Sequence, residues 1–241
     1  MFIKTLPTAE EAMQSAARDI AVYINENPDS LLCFAAGNTP LPLFKRLLEL
    51  QRGGEVNLGG VYYVGLDEWL GVGRETTGSC AQVMYDNYYA PAGVPDERVC
   101  VWNGLCADTS AEIARIGAWI NGRGGIALAL LGVGMNGHVG FNEPNVAPAE
   151  GGVLVRLAEA TLSASTKYFV KALPATHGLT VGLAELKKAR KLLLAVTGAA
   201  KAGIVKKFAY GGANPAVPAS LLMDHPDVTL YADEAAMADV G

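Results

Sequence analysis

Short apolar runs alternate with stretches of helical spacing along most of this chain, and that alternation restricts the fold more than any other feature. Thr8 followed three residues later by Glu11 forms a capping-box pattern, and residues 9–24 then carry apolar side chains at helical spacing, so a helix is expected there. Residues 30–36, Ser-Leu-Leu-Cys-Phe-Ala-Ala, read as a buried strand that ends in Gly37-Asn38-Thr39-Pro40, and helical spacing resumes over 41–50. The unit recurs less regularly, with strands expected at 61–65, 126–131, 179–182, 191–196 and 228–232 and helices at 80–89, 111–120, 184–189 and 199–209. Elements alternating at these lengths imply an α/β fold, a doubly wound, mostly parallel sheet with helices on both faces in a Rossmann-like three-layer arrangement. No repeat, low-complexity tract or linker divides the sequence, so residues 1–241 are read as a single domain. Residues from about 145 to 176 give the weakest strand signal. So much irregular chain in a compact domain is often an active-site lid, and this segment is read as one.

Composition agrees with such a fold and narrows the function. The chain is 51% hydrophobic and 18% charged, with 28 glycines, which suits strands covered on both faces. A net charge of -5 argues against a nucleic-acid partner, because counterion-release binding needs a basic stripe and no run of Lys or Arg supplies one. A small anionic substrate remains compatible, since a phosphate pocket needs only a few donors. Cys33, Cys80, Cys100 and Cys106 form no CxxC pair and no Cys/His cluster has zinc-ligand spacing. Reduced thiols in a cytoplasmic protein without a metal site are the expectation. The N-terminal residues reach acidic side chains too soon for a signal peptide, and no segment supplies the ~20 apolar residues of a membrane span.

Ligands in open α/β sheets bind at the carboxyl ends of the strands, which directs attention to three loops. Gly37-Asn38-Thr39-Pro40 leaves a strand and opens a helix, where free N–H groups favour a phosphate; the same residues also make ordinary turns. In Gly65-Leu66-Asp67-Glu68-Trp69 two adjacent acids follow a strand and must face opposite ways if the strand continues. One of them can face a pocket as a proton-abstracting base, and a helix cap or a surface acid pair is the plainer alternative. The third loop, residues 131–144, holds Asn136, His138 and Glu143 among glycines that allow close approach of the backbone to a ligand. A histidine with a carboxylate partner is oriented for proton transfer, whereas His177 and His225 lack such a setting. Gly132-Val-Gly-Met-Asn-Gly137 matches a dinucleotide-binding GxGxxG literally, but the following His-Val-Gly-Phe-Asn-Glu-Pro does not open a helix, and that reading is weak.

These loops, in this order and with these separations, resemble the glucosamine-6-phosphate deaminase and isomerase family. The resemblance covers most of the chain and rests on Ala36-Gly37-Asn38-Thr39-Pro40, Leu66-Asp67-Glu68-Trp69, Leu179-Thr-Val-Gly182 and above all Asn136-Gly-His-Val-Gly-Phe-Asn-Glu-Pro144. It implies conversion of a hexosamine 6-phosphate to the ketose 6-phosphate and ammonia, with neither metal nor organic cofactor. Carried over residue by residue, Asp67 resembles the base that moves a proton from C2 to C1, and His138 the ring-opening acid/base positioned by Asn136 and Glu143. Gly37, Asn38 and Thr39 match the phosphate loop, Lys201 the phosphate lysine, and Lys167 stands where an arginine is usual. The implied partner is a small sugar phosphate and neither nucleic acid nor a membrane; a monomer and a homo-oligomer are both compatible.

The sequence also departs from the family pattern. Asn136 replaces a frequent Asp and removes one negative charge near His138, Lys167 exchanges a bidentate fork for a point charge, and Ala36 and Asn38 replace the usual Thr and Gly. Leu66-Asp67-Glu68-Trp69, the Asn136–Pro144 run and Val217-Pro-Ala-Ser220 resemble the galactosamine-6-phosphate branch rather more than the glucosamine one. Two other functions share the expected fold. One is 6-phosphogluconolactonase, a hydrolase with no use for a base at C2, which Phe141-Asn-Glu-Pro144 and Trp69 disfavour. The other is a non-catalytic sugar-phosphate-binding protein, disfavoured by the presence together of Asp67, His138 and Glu143 and by the lack of room for a helix-turn-helix before Ser30.

Overall fold

At the start of the first helix the Thr8 side chain accepts from the Glu11 N–H while the Glu11 carboxylate accepts from the Thr8 N–H, the reciprocal cap that the sequence pattern predicts. The computed structural model of the protein describes residues 1–165, 169 and 176–240. In chain order its elements are β1 (Phe2–Leu6), α1 (Ala9–Glu26), β2 (Leu31–Phe34), α2 (Leu41–Arg52), β3 (Tyr62–Gly65), β4 (Asp67–Trp69), α3 (Cys80–Met84), β5 (Val99–Cys100), α4 (Thr109–Asn121), β6 (Leu128–Gly132), β7 (Gly152–Arg156), α5 (Glu159–Ser165), β8 (His177–Val181), α6 (Leu183–Lys187), β9 (Lys191–Val196), α7 (Ala202–Tyr210) and β10 (Val228–Asp233).

Seven strands form one all-parallel sheet in the order β1-β10-β9-β6-β2-β3-β5. Because side chains alternate across a strand, each central strand feeds two cores. Leu31, Cys33, Leu192 and Leu194 face one layer with Ile116, Ile120 and Phe208, and Leu32, Phe34 and Leu193 face the other with Ile20, Phe44 and Leu47. The doubly wound, three-layer expectation is met. Among the described residues no helix is long and apolar enough to cross a membrane.

A second, antiparallel sheet of β4, β8 and β7 stands beside the first, and here the structure refines the sequence reading. The strand expected at 179–182 is β8, which lies in this small sheet. The weak-signal segment contributes β7 and α5; the rest of it includes residues 166–168 and 170–175, outside those described. The helix expected at 80–89 is α-helical only to Met84 and continues as a π-helical turn, Tyr85–Tyr89.

Candidate active site

The parallel sheet grows outward in opposite directions from β2 and β6, which are neighbours: the chain steps from β2 to β3 and β5 on one side and from β6 to β9 and β10 on the other. Such a switch point opens a crevice at the carboxyl ends of the two strands. A cavity of about 370 Å³ occupies it, lined by the loops after β2, β3 and β6 and by Thr161 of α5.

After β2 the backbone takes Gly37 at φ 126°, a region that favours glycine, and Asn38, Thr39 and Pro40 lead directly into the N-terminus of α2. All four residues line the cavity, as does Lys201 at the entry to α7. Lys201 Nζ donates to the Val133 carbonyl at 2.5 Å, which ties this amine to the loop after β6. A helix N-terminus beside a lysine ammonium is suited to an anion such as phosphate.

Strand β4 begins one residue after β3 ends, so the chain crosses from the large sheet to the small one at Leu66. Asp67 faces the cavity and is only partly exposed, whereas Glu68 is fully buried on the opposite side. Burial pushes the Asp67 carboxyl up to about 6, against the opposing pull of a hydrogen bond with the Cys80 thiol and the charge of His138. Glu68 accepts from the N–H groups of Trp69, Cys80 and Ala81 at 2.9–3.0 Å and so satisfies the free donors at the start of α3. Its carboxyl is pushed up to about 7 by burial, which outweighs these hydrogen bonds. The alternative of a helix cap therefore describes Glu68 and the pocket-facing alternative describes Asp67.

After β6 the loop stays non-helical and folds back through a bridge between Val139 and Asn142, so the dinucleotide-type match has none of the helix it requires. The His138 ring lies so close to Gly134 that a Cβ there would stand 2.3 Å from Nε2. At the other ring edge, His138 Nδ1 is 3.6 Å from Glu143 Oε2 and 3.2 Å from Thr161 Oγ1. Asn136 Nδ2 donates to Glu143 Oε2 at 3.0 Å, and its Oδ1 accepts from the His138 N–H. Burial works to raise the Glu143 pKa, but the His138 ring, the Thr161 hydroxyl and the Ala158 N–H beside it together hold it below the usual carboxylate value.

Gly37, Asn38, Thr39, Asp67, Asn136, His138 and Lys201 thus converge on one cavity, with Glu143 buried directly behind His138. Lys167 lies outside the described residues. Sequence reasoning missed Cys80, whose thiol meets Asp67, and Thr161, which meets His138 from the segment read as a lid. Neither carries a local motif; both arrive through pairing of distant elements.

Residues 7–231 match the family model described as glucosamine-6-phosphate isomerases/6-phosphogluconolactonase. The glucosamine-6-phosphate deaminase of Lachnoclostridium phytofermentans is 36% identical over 219 residues, 90% of this chain and 92% of that one. The enzyme of the same name from Alkaliphilus oremlandii is 34% identical over 238 residues, 98% of each chain. A solved structure of a monomeric glucosamine-6-phosphate deaminase is similar with a TM-score of 0.95 at 32% identity, covering 99% of this chain and 100% of that one. A 6-phosphogluconolactonase from Trypanosoma brucei, at 19% identity and a TM-score of 0.74 over 100% of this chain and 98% of its own, shares the fold. With a family model matched over most of its length and relatives above 30% identity along nearly all of it, the chain belongs to the glucosamine-6-phosphate isomerase/6-phosphogluconolactonase family.

Proposed function

We propose that this protein is a hexosamine-6-phosphate deaminase that converts glucosamine 6-phosphate and water to the ketose 6-phosphate and ammonia. The observation that carries the reading is the pairing, in one cavity, of the Asp67 carboxyl, pushed up toward neutrality, with the His138 imidazole backed by Glu143. Two separate proton carriers suit a reaction with two separate proton transfers. His138 takes the proton of the anomeric hydroxyl and returns it to the ring oxygen, which opens the ring. Asp67 then removes the C2 proton and delivers it to C1 while a proton of the C2 ammonium passes to O1; the carbon–nitrogen bond at C2 becomes an imine, water adds to it, and ammonia leaves as the ketone forms. Each proton removed is returned, and the reading uses no metal and no cofactor.

Gly37, Asn38, Thr39 and Lys201 are assigned to the phosphate, with Lys167 in the same role. Holding the phosphate keeps the open chain in register with both proton carriers, so binding energy remote from the reacting carbons serves positioning. The segment from about 145 to 176 is assigned as the lid, since α5 already places Thr161 in the cavity wall. The relatives named above support glucosamine 6-phosphate as the first substrate to test, with galactosamine 6-phosphate second. Incubating the purified protein with each sugar and measuring ammonia tests the reading. Hydrolysis of 6-phosphogluconolactone without ammonia release from either sugar would replace it by a lactonase, and binding without turnover by a sensor.

A further inference from the structure

A third side chain meets the His138 ring beside Glu143. Nδ1 and Oε2 are 3.6 Å apart, beyond an ordinary hydrogen bond, while Thr161 Oγ1 stands 3.2 Å from Nδ1. Thr161 is buried, on the first turn of α5, and its segment is tied to the Glu143 carboxylate: the Ala158 N–H donates to Glu143 Oε1 at 3.2 Å. Asn136 Nδ2 completes the carboxylate's partners.

The chemistry of these groups gives the chain of hydrogen bonds a direction. Glu143 is held below the usual carboxylate pKa: burial opposes this, but the His138 ring, the Thr161 hydroxyl and the Ala158 N–H beside it prevail. It is therefore ionised at neutral pH and only accepts. An anionic carboxylate 3.6 Å from Nδ1 favours the proton on that nitrogen, and the Thr161 hydroxyl, 3.2 Å away, is then its acceptor. Nδ1 thus carries the imidazole proton. Nε2, on the opposite ring edge beside Gly134, is left with its lone pair at the cavity, unobstructed because residue 134 has no Cβ.

We infer that Thr161 is a positioning residue that accepts the His138 Nδ1–H beside the Glu143 carboxylate and so holds the imidazole in the tautomer whose bare Nε2 can take the proton of the anomeric hydroxyl. The inference rests on the ring-opening role assigned to His138 and adds that the lid helix supplies part of the acid/base unit.

The test is imidazole nitrogen NMR on the whole, ligand-free protein, with the His138 signals assigned by comparison with His138→Gln. The expected result is a protonated Nδ1 and a bare Nε2 in the wild type, a population shifted toward Nε2–H in Thr161→Val, and return to the wild-type pattern in Thr161→Ser. In parallel, Thr161→Val should lower kcat roughly 10- to 100-fold with little change in KM, and Thr161→Ser should restore most of it. A wild-type His138 with its proton on Nε2 overturns the inference, whether or not the valine variant folds. So does a valine variant with wild-type tautomer and kcat. If the wild type releases no ammonia from either sugar, the functional reading fails while the tautomer spectrum still decides the role of Thr161.

Discussion

Asp67 and Glu68 are neighbours in one short strand that look in opposite directions, the first into the cavity and the second into the N-terminus of α3. A period-two strand separates two identical chemistries by a single peptide unit, one carboxyl assigned to proton transfer and the other to holding the helix that bears Cys80.

For Asp67→Asn the expectation is a folded protein that binds sugar phosphate with turnover reduced by orders of magnitude, because an amide cannot take the C2 proton. The same variant should report on stability. The carboxyl ionises near 3.8 in an unfolded chain and at about 6 in the folded one. Its charge therefore costs the fold nothing below about pH 4, an increasing amount between pH 4 and 6, and the full penalty above about pH 6. Wild type and Asp67→Asn should be equally stable at low pH and diverge in favour of the variant at pH 8, by about 1–3 kcal/mol given the partly solvated face of Asp67. Urea denaturation at the two pH values measures this, and near-normal ammonia release would remove Asp67 from the mechanism.

The acid side of the pH profile should carry the same group. Since the base must be ionised, kcat/KM is expected to rise through a midpoint of about 6. The Cys80 thiol lowers the Asp67 pKa by hydrogen bonding, so Cys80→Ala should move that midpoint upward and Cys80→Ser should largely retain it. An unmoved midpoint in the alanine variant would show that the thiol does not tune the base.

Lys201→Ala should raise KM strongly and lower kcat if the phosphate positions the reacting carbons. Loss of a charge-assisted hydrogen bond costs roughly 1.5–3 kcal/mol, so weakening on the order of ten- to a hundredfold is expected. The dephosphorylated amino sugar, poor for both proteins, is the control. Equal KM and kcat for variant and wild type would place the phosphate elsewhere.

Glu68→Ala leaves three N–H groups without their acceptor, two of them at the start of α3. A loss of about 2–4 kcal/mol in unfolding free energy is expected, read from denaturant midpoints at pH 5, where the raised pKa keeps the carboxyl neutral and no cost of buried charge offsets the loss. A change below about 0.5 kcal/mol would mean that water replaces the carboxylate there.

Much of this was legible in the sequence because it is local. The capping box at Thr8, the buried runs that became β2, β3, β6 and β9, and the three loops at their ends follow from spacing and residue type over a few positions. The edge strands were not legible. β1 exposes most of its side chains and so lacks an apolar signature, and β4 and β5 are too short to show a period. β7 takes its identity from pairing with β8 and buries only Val155, leaving two of its five residues partly buried and two exposed. Thr161 and Cys80 were hidden for the same reason: what places them beside His138 and Asp67 is the meeting of distant segments.

The outermost pairing of the large sheet has a consequence for how the chain acquires its fold. β1 aligns in parallel with β10, Phe2 opposite Thr229 and Leu6 opposite Asp233, and α1 packs its apolar face on β10 and β9. β1 and α1 are thus made well before the strand they pair with and pack on. At roughly 5–20 residues per second the interval is about 10–45 s, during which Met13, Ala17, Ile20 and Ile24 have no sheet to cover. Closure across such a sequence separation is slow on topological grounds. α1 is therefore a place where an added apolar side chain would lower yield before it lowered the stability of the finished molecule.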